Sequence, residues 1–378
     1  MATHLNRGSH LLPKLARIPP ELIALRDYAE RAADHLPAPI LAWLDGGSGD
    51  ERTVAANRAA FARRPLAARV LRDLARGGGA TRVLGCALTH PIMLAPVAHH
   101  GLVHADGECA TAAGAAAATT LYVVSALATR SLADIAAAGP GPKWFQLYWQ
   151  ASREATLALA ARAHGAGYRA LVFTADAPVS SIPERAQRAG FALPPELRPA
   201  NVAPPTPREL ARGRSVIFQG YMADAPCWED FAWLARHSPL PLLLKGVLHA
   251  DDAARAADAG AAGVIVSNHG GRGLDGLPAS LDCLPAVRAA LGAEATVLLD
   301  GGIRRGTDVL VALALGANAV LIGRPQLHGL AVAGALGVAH VLRLLQTEFE
   351  LAMALAGCAR VADIDAGVLH APAGYAPC

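Results

Sequence analysis

Charged side chains are scarce in this sequence. Asp, Glu, Lys and Arg make up 17% of its 378 residues, too few for a chain kept disordered by high charge and low hydrophobicity. Neither sign is in excess. The formal net charge of +3 is small and scattered, so the electrostatic footprint of a nucleic-acid-binding protein is missing. The most basic stretch, "RRPLAARVLRDLARGGGATR", is interrupted by Asp73 and reads as a solvated face in preference to a site for a phosphate polymer. Cysteine is rare as well: six residues lie far apart, with no C-x-x-C pair and no His-rich partner. Reduced, buried thiols are expected, with neither a disulfide framework nor a metal site. The opening "MATHLNRGSHLLPKLARIPP" lacks the apolar core of a secretory signal, and no run of about 20 apolar residues is free of polar interruption. These absences lead us to expect a soluble, cytoplasmic protein that binds neither membrane nor nucleic acid, with residues 1–19 as a flexible tail.

What remains is hydrophobic sequence cut into short pieces. Hydrophobic residues make up 53% of the chain, although alanine inflates the figure. Eight apolar runs recur: "IMLAPVA" (92–98), "TLYVVSA" (120–126), "KWFQLY" (143–148), "ALVFTAD" (170–176), "PLLLKGV" (241–247), "GVIVSNH" (263–269), "TVLLDGG" (296–302) and "AVLIGRP" (319–325). Continuous apolar character fits parallel strands covered on both faces. Helical segments separate most of them. "SREATLALAARAHG" (152–165) carries a Ser cap, an early Glu and a closing Gly, and "GTDVLVALALGA" can align Val309, Leu310, Leu313 and Ala314 on one face. Eight such units predict an α/β fold, a (β/α)₈ TIM barrel spanning residues 20–378 as one domain. An open doubly wound sheet is the alternative, but no G-x-G-x-x-G follows the first strand to support it. Residues 20–63 read as an N-terminal extension of two helices joined through "LDGGSGDE", covering one end of the barrel. The Pro-rich gap at 177–240, after the fourth strand, reads as a long loop serving as a lid.

Parallel barrels carry their reactive groups at the carboxyl ends of the strands. Those ends hold Ser125, Gln146 and Tyr148, Thr174 and Asp176, Lys245, His269 with Arg272, Asp300, and Gly323 with Arg324. Singly each has a plain structural reading: Thr174 as core, Tyr148 as a packed aromatic, Lys245 as a snorkelling side chain. Polar groups at one end of eight apolar strands are hard to explain by packing alone. "LLDGGIRRGTD" and "LIGRP" place glycines, Arg304 and Arg324 after strands seven and eight, where barrels commonly hold a phosphate. His269 is a candidate general base, with Asp176 to orient it. Arg272 offers a fork for a carboxylate, and Lys245 a positive charge for a cofactor that becomes anionic.

These residues bring a family into view. "GSGDERTVAANRAAF", "GPGPKWFQLYWQ", "LPLLLKGV", "GVIVSNHGGRGLDG" and "LLDGGIRRGTDVLVALALGANAVLIGRP" resemble the FMN-dependent α-hydroxy acid oxidases and dehydrogenases, the group of glycolate oxidase, lactate oxidase and mandelate dehydrogenase, from about residue 20 to 365. The resemblance implies FMN as cofactor, with Pro96, Val97 and Ala98 along the flavin edge. It implies Ser125, Gln146 and Thr174 hydrogen-bonded to the ring, Lys245 by its N1 and O2, and Ser267 beside them. Asp300, Gly302, Arg304, Gly323 and Arg324 would hold the phosphate. His269 would be the base, Asp176 its partner, Arg272 the carboxylate anchor, and Tyr148 a hydrogen-bond partner of the substrate oxygen, as two electrons pass from a C–H bond to flavin N5.

Three positions depart from the family pattern. Trp43 stands where a carboxylate-gripping Tyr is usual, Pro183 where a second Arg is usual, and Leu127 where the pocket has an aromatic. A smaller change puts Gly273 after the active-site Arg. Arg185 is a candidate replacement for the lost Arg. Hydrogen bonds to a charged group contribute roughly 1.5–3 kcal/mol each, so losing two donors predicts weak binding of glycolate or lactate. A larger, more apolar or non-standard substrate, such as an aryl or long-chain α-hydroxy acid or a biosynthetic intermediate, is the leading expectation. An ordinary small 2-hydroxy acid, a non-catalytic FMN-binding scaffold and an isomerase using reduced FMN are the alternatives. O2 or a soluble acceptor would take the electrons, and the family implies a homo-oligomer, often a tetramer.

Overall fold

Eight parallel strands close on themselves into a barrel, as the eight apolar runs predict. The computed structural model describes residues 11–150, 152–203 and 210–370; residues 1–10, 151, 204–209 and 371–378 lie outside it. The first helices are α1 (Leu25–His35), α2 (Ala38–Asp45) and α3 (Arg52–Ala62), followed by an antiparallel hairpin of β1 (Thr81–Val83) and β2 (Cys86–Leu88). The barrel strands are β3 (Ile92–Leu94), β4 (Tyr122–Ser125), β5 (Lys143–Leu147), β6 (Leu171–Thr174), β7 (Leu242–Val247), β8 (Gly263–Val266), β9 (Val297–Asp300) and β10 (Ala319–Ile322). Helices α4 (Glu108–Ala117), α5 (Leu132–Ala137), α6 (Arg153–Gly165), α7 (Glu184–Arg188), α8 (Trp228–His237), α9 (Ala250–Asp258), α10 (Ser280–Leu291), α11 (Gly306–Ala314) and α12 (Arg324–Ala356) complete the described chain, with α12 broken at non-helical Ala333 and Gly334.

The strands lack polar alternation because both faces are covered. On β4, Val123 joins an inner cluster with Met93, Trp144, Val172, Leu243 and Ile265, while Tyr122 and Val124 face the outer layer of helices. Each fully buried Leu, Ile or Val contributes about 1.5–3 kcal/mol, so neither layer can be spared. Helix α11 differs from its sequence reading for the same reason: Val311 and Ala312 are buried along with Val309, Leu310, Leu313 and Ala314, since α12 packs over the face turned from the barrel.

Several boundaries move. The expected pair of N-terminal helices is three, because Leu36, preceding Pro37, is extended and a residue before proline avoids the α region. Residues 11–19 belong to the packed body: Leu12 N donates to Asp34 O and Leu15 N to Val332 O, each at 2.8 Å. The hairpin went unpredicted because its turn, Leu84-Gly85 with φ of 43° and 76°, uses left-handed residues without an Asn-Gly signature; its Val83, Cys86 and Leu88 extend the inner core. The excursion after β6 ends near 227, not 240. Helix α8 is an ordinary barrel helix that buries Phe231 and Leu234, and its Asp230 accepts both Cys227 N (3.1 Å) and Arg153 of α6 (2.8 Å). Within the excursion a helical turn at Val216–Tyr221 leaves Val216, Phe218 and Tyr221 exposed. All five cysteines among the described residues are free thiols.

Candidate active site

The chain leaving β8 turns through three consecutive left-handed residues, His269, Gly270 and Gly271, with φ of 58°, 62° and 78°. A Cβ on Gly271 would lie 2.6 Å from Val54 Cγ2 and 2.8 Å from Val54 N, so glycine is required for α3 to approach this loop. Ser267 Oγ accepts the His269 amide at 3.0 Å. Next to it, Asn268 and Asn57 of α3 exchange side-chain amide hydrogen bonds, both 2.8 Å. The turn is therefore tied at both ends, and it aims the imidazole across the mouth to β6.

There His269 Nδ1 lies 3.0 Å from Asp176 Oδ1. A carboxylate only accepts, so Nδ1 carries a proton, and Nε2 is the ring nitrogen left to exchange one with a ligand. Burial pushes the Asp176 carboxyl up, but the charges of Lys245 and His269 outweigh it and hold it below the ordinary carboxylate range. The His269 side chain is 25% exposed and Asp176 12%, an imidazole open to a ligand on a sheltered partner. The backbone permits this only at Gly246, where φ is 102° and a Cβ would stand 2.5 Å from Asp176 Cβ. Gly246→Ala is expected to lower stability by about 1–3 kcal/mol and to displace Asp176. Thermal melts with and without FMN check this; an unchanged Tm would show that the loop relaxes.

Beside this pair, buried polar atoms lack partners. Gln146 Oε1 accepts Ser125 Oγ (3.2 Å) and Ala126 N (3.3 Å), while Gln146 Nε2, Thr174 Oγ1 and Asp300 Oδ1 are buried without one. Native proteins satisfy nearly all such groups. Donors and acceptors left over at the ends of β5, β6 and β9 fit a flat polar ring such as that of FMN. Ser125 thus supports Gln146, and Leu127 N donates to Ser125 Oγ (3.1 Å). Lys245 Nζ donates to Ser267 Oγ (2.8 Å) and pairs with Asp300 Oδ2 (3.2 Å). Burial opposes its charge, but Asp300 and Asp176 prevail and raise its pKa. The Asp300 carboxylate thus lies against Lys245 at the end of β9, with Oδ1 left over.

Beyond β9 and β10 lie Gly302, Arg304, Gly323 and Arg324. Burial lowers Arg304 to about 10, assisted by the neighbouring charges of Arg324 and Arg58. Arg304 makes no ion pair among the described residues; its Nη1 donates to Ile303 O (2.8 Å). Arg324, first residue of α12, donates to Leu44 O, Gly270 O and Gly46 O. Half-buried arginines that repel each other at a helix amino terminus fit a bound phosphate. Pro96, Val97 and Ala98 lie half-buried where β3 ends, and Val97 Cγ2 is the nearest atom to a Cβ built on Gly323, at 3.8 Å.

On the substrate side, Arg272 donates through Nη1 alone, to Trp43 O (2.7 Å), Gly46 O (3.1 Å) and Leu44 O (3.4 Å). Its Nε and Nη2 have no partner among the described residues, which leaves a two-pronged edge free for a carboxylate. Burial and Arg324 lower Arg272 to about 10, still charged at neutral pH. Burial pushes Tyr148 up to about 12, so its phenol remains a donor. Trp43 lies under Arg272 (5.1 Å from ring centroid to guanidinium) and stacks on Phe191 at 5.5 Å. Pro183 precedes α7, and Arg185 is exposed on an ion pair with Glu51, so the replacement anchor expected there is not delivered to the pocket. Phe191 and His99 escaped the sequence reading. His99, five residues past the end of β3, has φ of 55° and sits 6.3 Å from Trp43. Its place directly after "IMLAPVA" was the available signal; Phe191 lies in a loop and had none.

Residues 32–371 match the family described as FMN-dependent dehydrogenase. The L-lactate oxidase of Alicycliphilus denitrificans is 51% identical over 351 residues, covering 92% of this chain and 96% of the relative. Human 2-hydroxyacid oxidase 1 is 42% identical over 355 residues, covering 92% and 96%. The crystal structure of mandelate oxidase with (S)-2-phenylpropionate superimposes with a TM-score of 0.84 at 42% identity, covering 92% of this chain and 98% of that one. With a His–Asp pair at the mouth, a free arginine fork beside it and unsatisfied groups fitting a flavin, the chain belongs to the FMN-dependent dehydrogenase family, enzymes that oxidise the CH–OH group of 2-hydroxy acids.

Proposed function

We propose that this enzyme oxidises a 2-hydroxy acid whose side chain is larger and more apolar than methyl, with O2 as electron acceptor. The observation that carries the reading is the Trp43–Phe191 stack at 5.5 Å beneath Arg272. Where the family has a hydroxyl to grip the carboxylate, this pocket offers an aromatic wall, which suits an aryl or long alkyl group. Phe191 comes from the excursion after β6, which supports a lid role for that segment. One specific observation favours lactate instead: L-lactate oxidases are 51% and 49% identical to this chain.

FMN, when bound, supplies the two-electron acceptor. The side chains do the rest. Arg272 takes the carboxylate on its free Nε/Nη2 edge, and Tyr148 hydrogen-bonds the substrate oxygen. His269 Nε2 accepts the proton released as CH–OH becomes C=O, and Asp176 stabilises the resulting imidazolium. A scaffold without catalysis would have no use for this pair.

Steady-state kinetics over glycolate, lactate, mandelate and long-chain 2-hydroxy acids test the substrate class. Mandelate or a long-chain acid is expected to have the highest kcat/KM; glycolate or lactate leading the panel would overturn it. In Trp43→Tyr one charge-assisted hydrogen bond is regained, so kcat/KM for lactate should rise by about 10-fold or more, given roughly 1.5–3 kcal/mol per bond. Flavin bleached anaerobically by substrate should recover its colour in air. No recovery would point to a soluble acceptor.

A further inference from the structure

Arg272 and Arg324 come from different strand ends yet hydrogen-bond to the same few carbonyls. Helix α2 finishes at Asp45, and the carbonyls about its last turn have no helical partner. Leu44 O accepts Arg324 Nε (3.2 Å) and Arg272 Nη1 (3.4 Å), and Gly46 O accepts Arg324 Nη2 (2.7 Å) and Arg272 Nη1 (3.1 Å). The partial negative charge of a helix carboxyl terminus favours both cations. Between these carbonyls, the Asp45 side chain reaches His328 Nε2 at 2.7 Å. His328 is 3% exposed and lies one turn beyond Arg324 on α12. Asp45 also lies in the field of Arg324 and Arg304. The end of α2 is thus joined to the start of α12 at two points four residues apart.

We infer that the carboxyl end of α2 is a platform shared by the substrate anchor and the phosphate grip, clamped by Asp45 and His328, so that FMN and substrate strengthen each other's binding. This rests on the roles of Arg272 and Arg324 given above. Asp45 and His328 are positioning residues. They act by fixing the carbonyls that hold both guanidinium groups, and a group that orders a shared element couples the two ligands reciprocally.

The test uses the full chain. Its FMN is removed, FMN affinity is read from quenching of flavin fluorescence on re-addition, and KM and kcat are measured in the reloaded enzyme. Asp45→Asn keeps the shape and removes the charge. We expect FMN affinity to fall about 10-fold, KM for the hydroxy acid to rise by a similar factor, and kcat to change less than about 2-fold. His328→Gln should behave alike, and the double variant should cost no more than either single change. Non-additivity of this kind separates a clamp from two independent structural contributions. If Asp45→Asn folds poorly, His328→Gln alone reads the same FMN affinity, KM and kcat. An Asp45→Asn enzyme with unchanged FMN affinity, or with weakened FMN and unaltered KM, overturns the inference. Arg324→Met distinguishes this failure from one at the site itself: if it retains FMN as tightly as the parent, the assignment of the phosphate grip is at fault.

Discussion

Turnover of the His269→Gln enzyme is expected to fall by about 10²–10⁴-fold, the usual contribution of a positioned general base, while the protein keeps its flavin. Glutamine can still donate to Asp176, so the loop geometry survives, but it cannot take up a proton. The structure makes the choice of base specific. Asp176 Oδ1 occupies Nδ1 at 3.0 Å, which leaves Nε2 as the nitrogen of that ring able to exchange a proton. Tyr148 is no rival, because burial pushes it to about 12 and keeps it protonated. Lys245 is no rival either, since its carboxylate partners raise it and keep it charged. Stopped-flow measurement of anaerobic flavin bleaching reads the step directly. A variant that bleaches within 10-fold of the parent rate would place the base elsewhere.

In the Arg272→Met enzyme, kcat/KM for the hydroxy acid should drop by roughly 10²–10⁴-fold. Two hydrogen bonds to a carboxylate at roughly 1.5–3 kcal/mol each account for this range. Neither Trp43, an indole, nor Arg185, occupied by Glu51, can compensate. Lysine should restore only part of the loss, because an ammonium cannot offer a planar fork. A hydroxy ester provides the control. Lacking the anionic carboxylate, it should lose far less than the acid. Equal losses for acid and ester would mean that Arg272 supports the fold and not the substrate. A modest fall in Tm is expected alongside, because Arg272 also donates to three carbonyls around the end of α2.

The architecture was open to reading because its signals are local. All eight barrel strands lie within the predicted apolar runs, and Ser152 caps α6 as its sequence indicates, accepting Ala155 N at 3.2 Å. Boundaries were lost where local signals conflict. Helix α8 follows a Pro-rich stretch and was absorbed into the loop. The Leu84-Gly85 turn carries no preferred dipeptide. Residues 11–19, interrupted by Pro13, Lys14 and Arg17, look loose yet are held by backbone bonds that any sequence can make.

The site divides in the same way. Barrel topology alone gathers strand ends, so His269, Asp176, Lys245 and the arginines could be placed together before any coordinates. Their partners could not be assigned. Asp300 is found on Lys245; Arg185 was expected in the pocket and is found on Glu51. A side chain's partner depends on which of several groups within a few ångströms offers the better geometry and charge, and no short window of sequence records that. Phe191 against Trp43, and Asp45 against His328, join residues 148 and 283 positions apart in the chain. The order of apolar runs and small polar tips thus determines the barrel, its mouth and the type of chemistry. Only the folded chain decides which side chains touch there, because contacts between distant segments are set by packing and electrostatics in three dimensions.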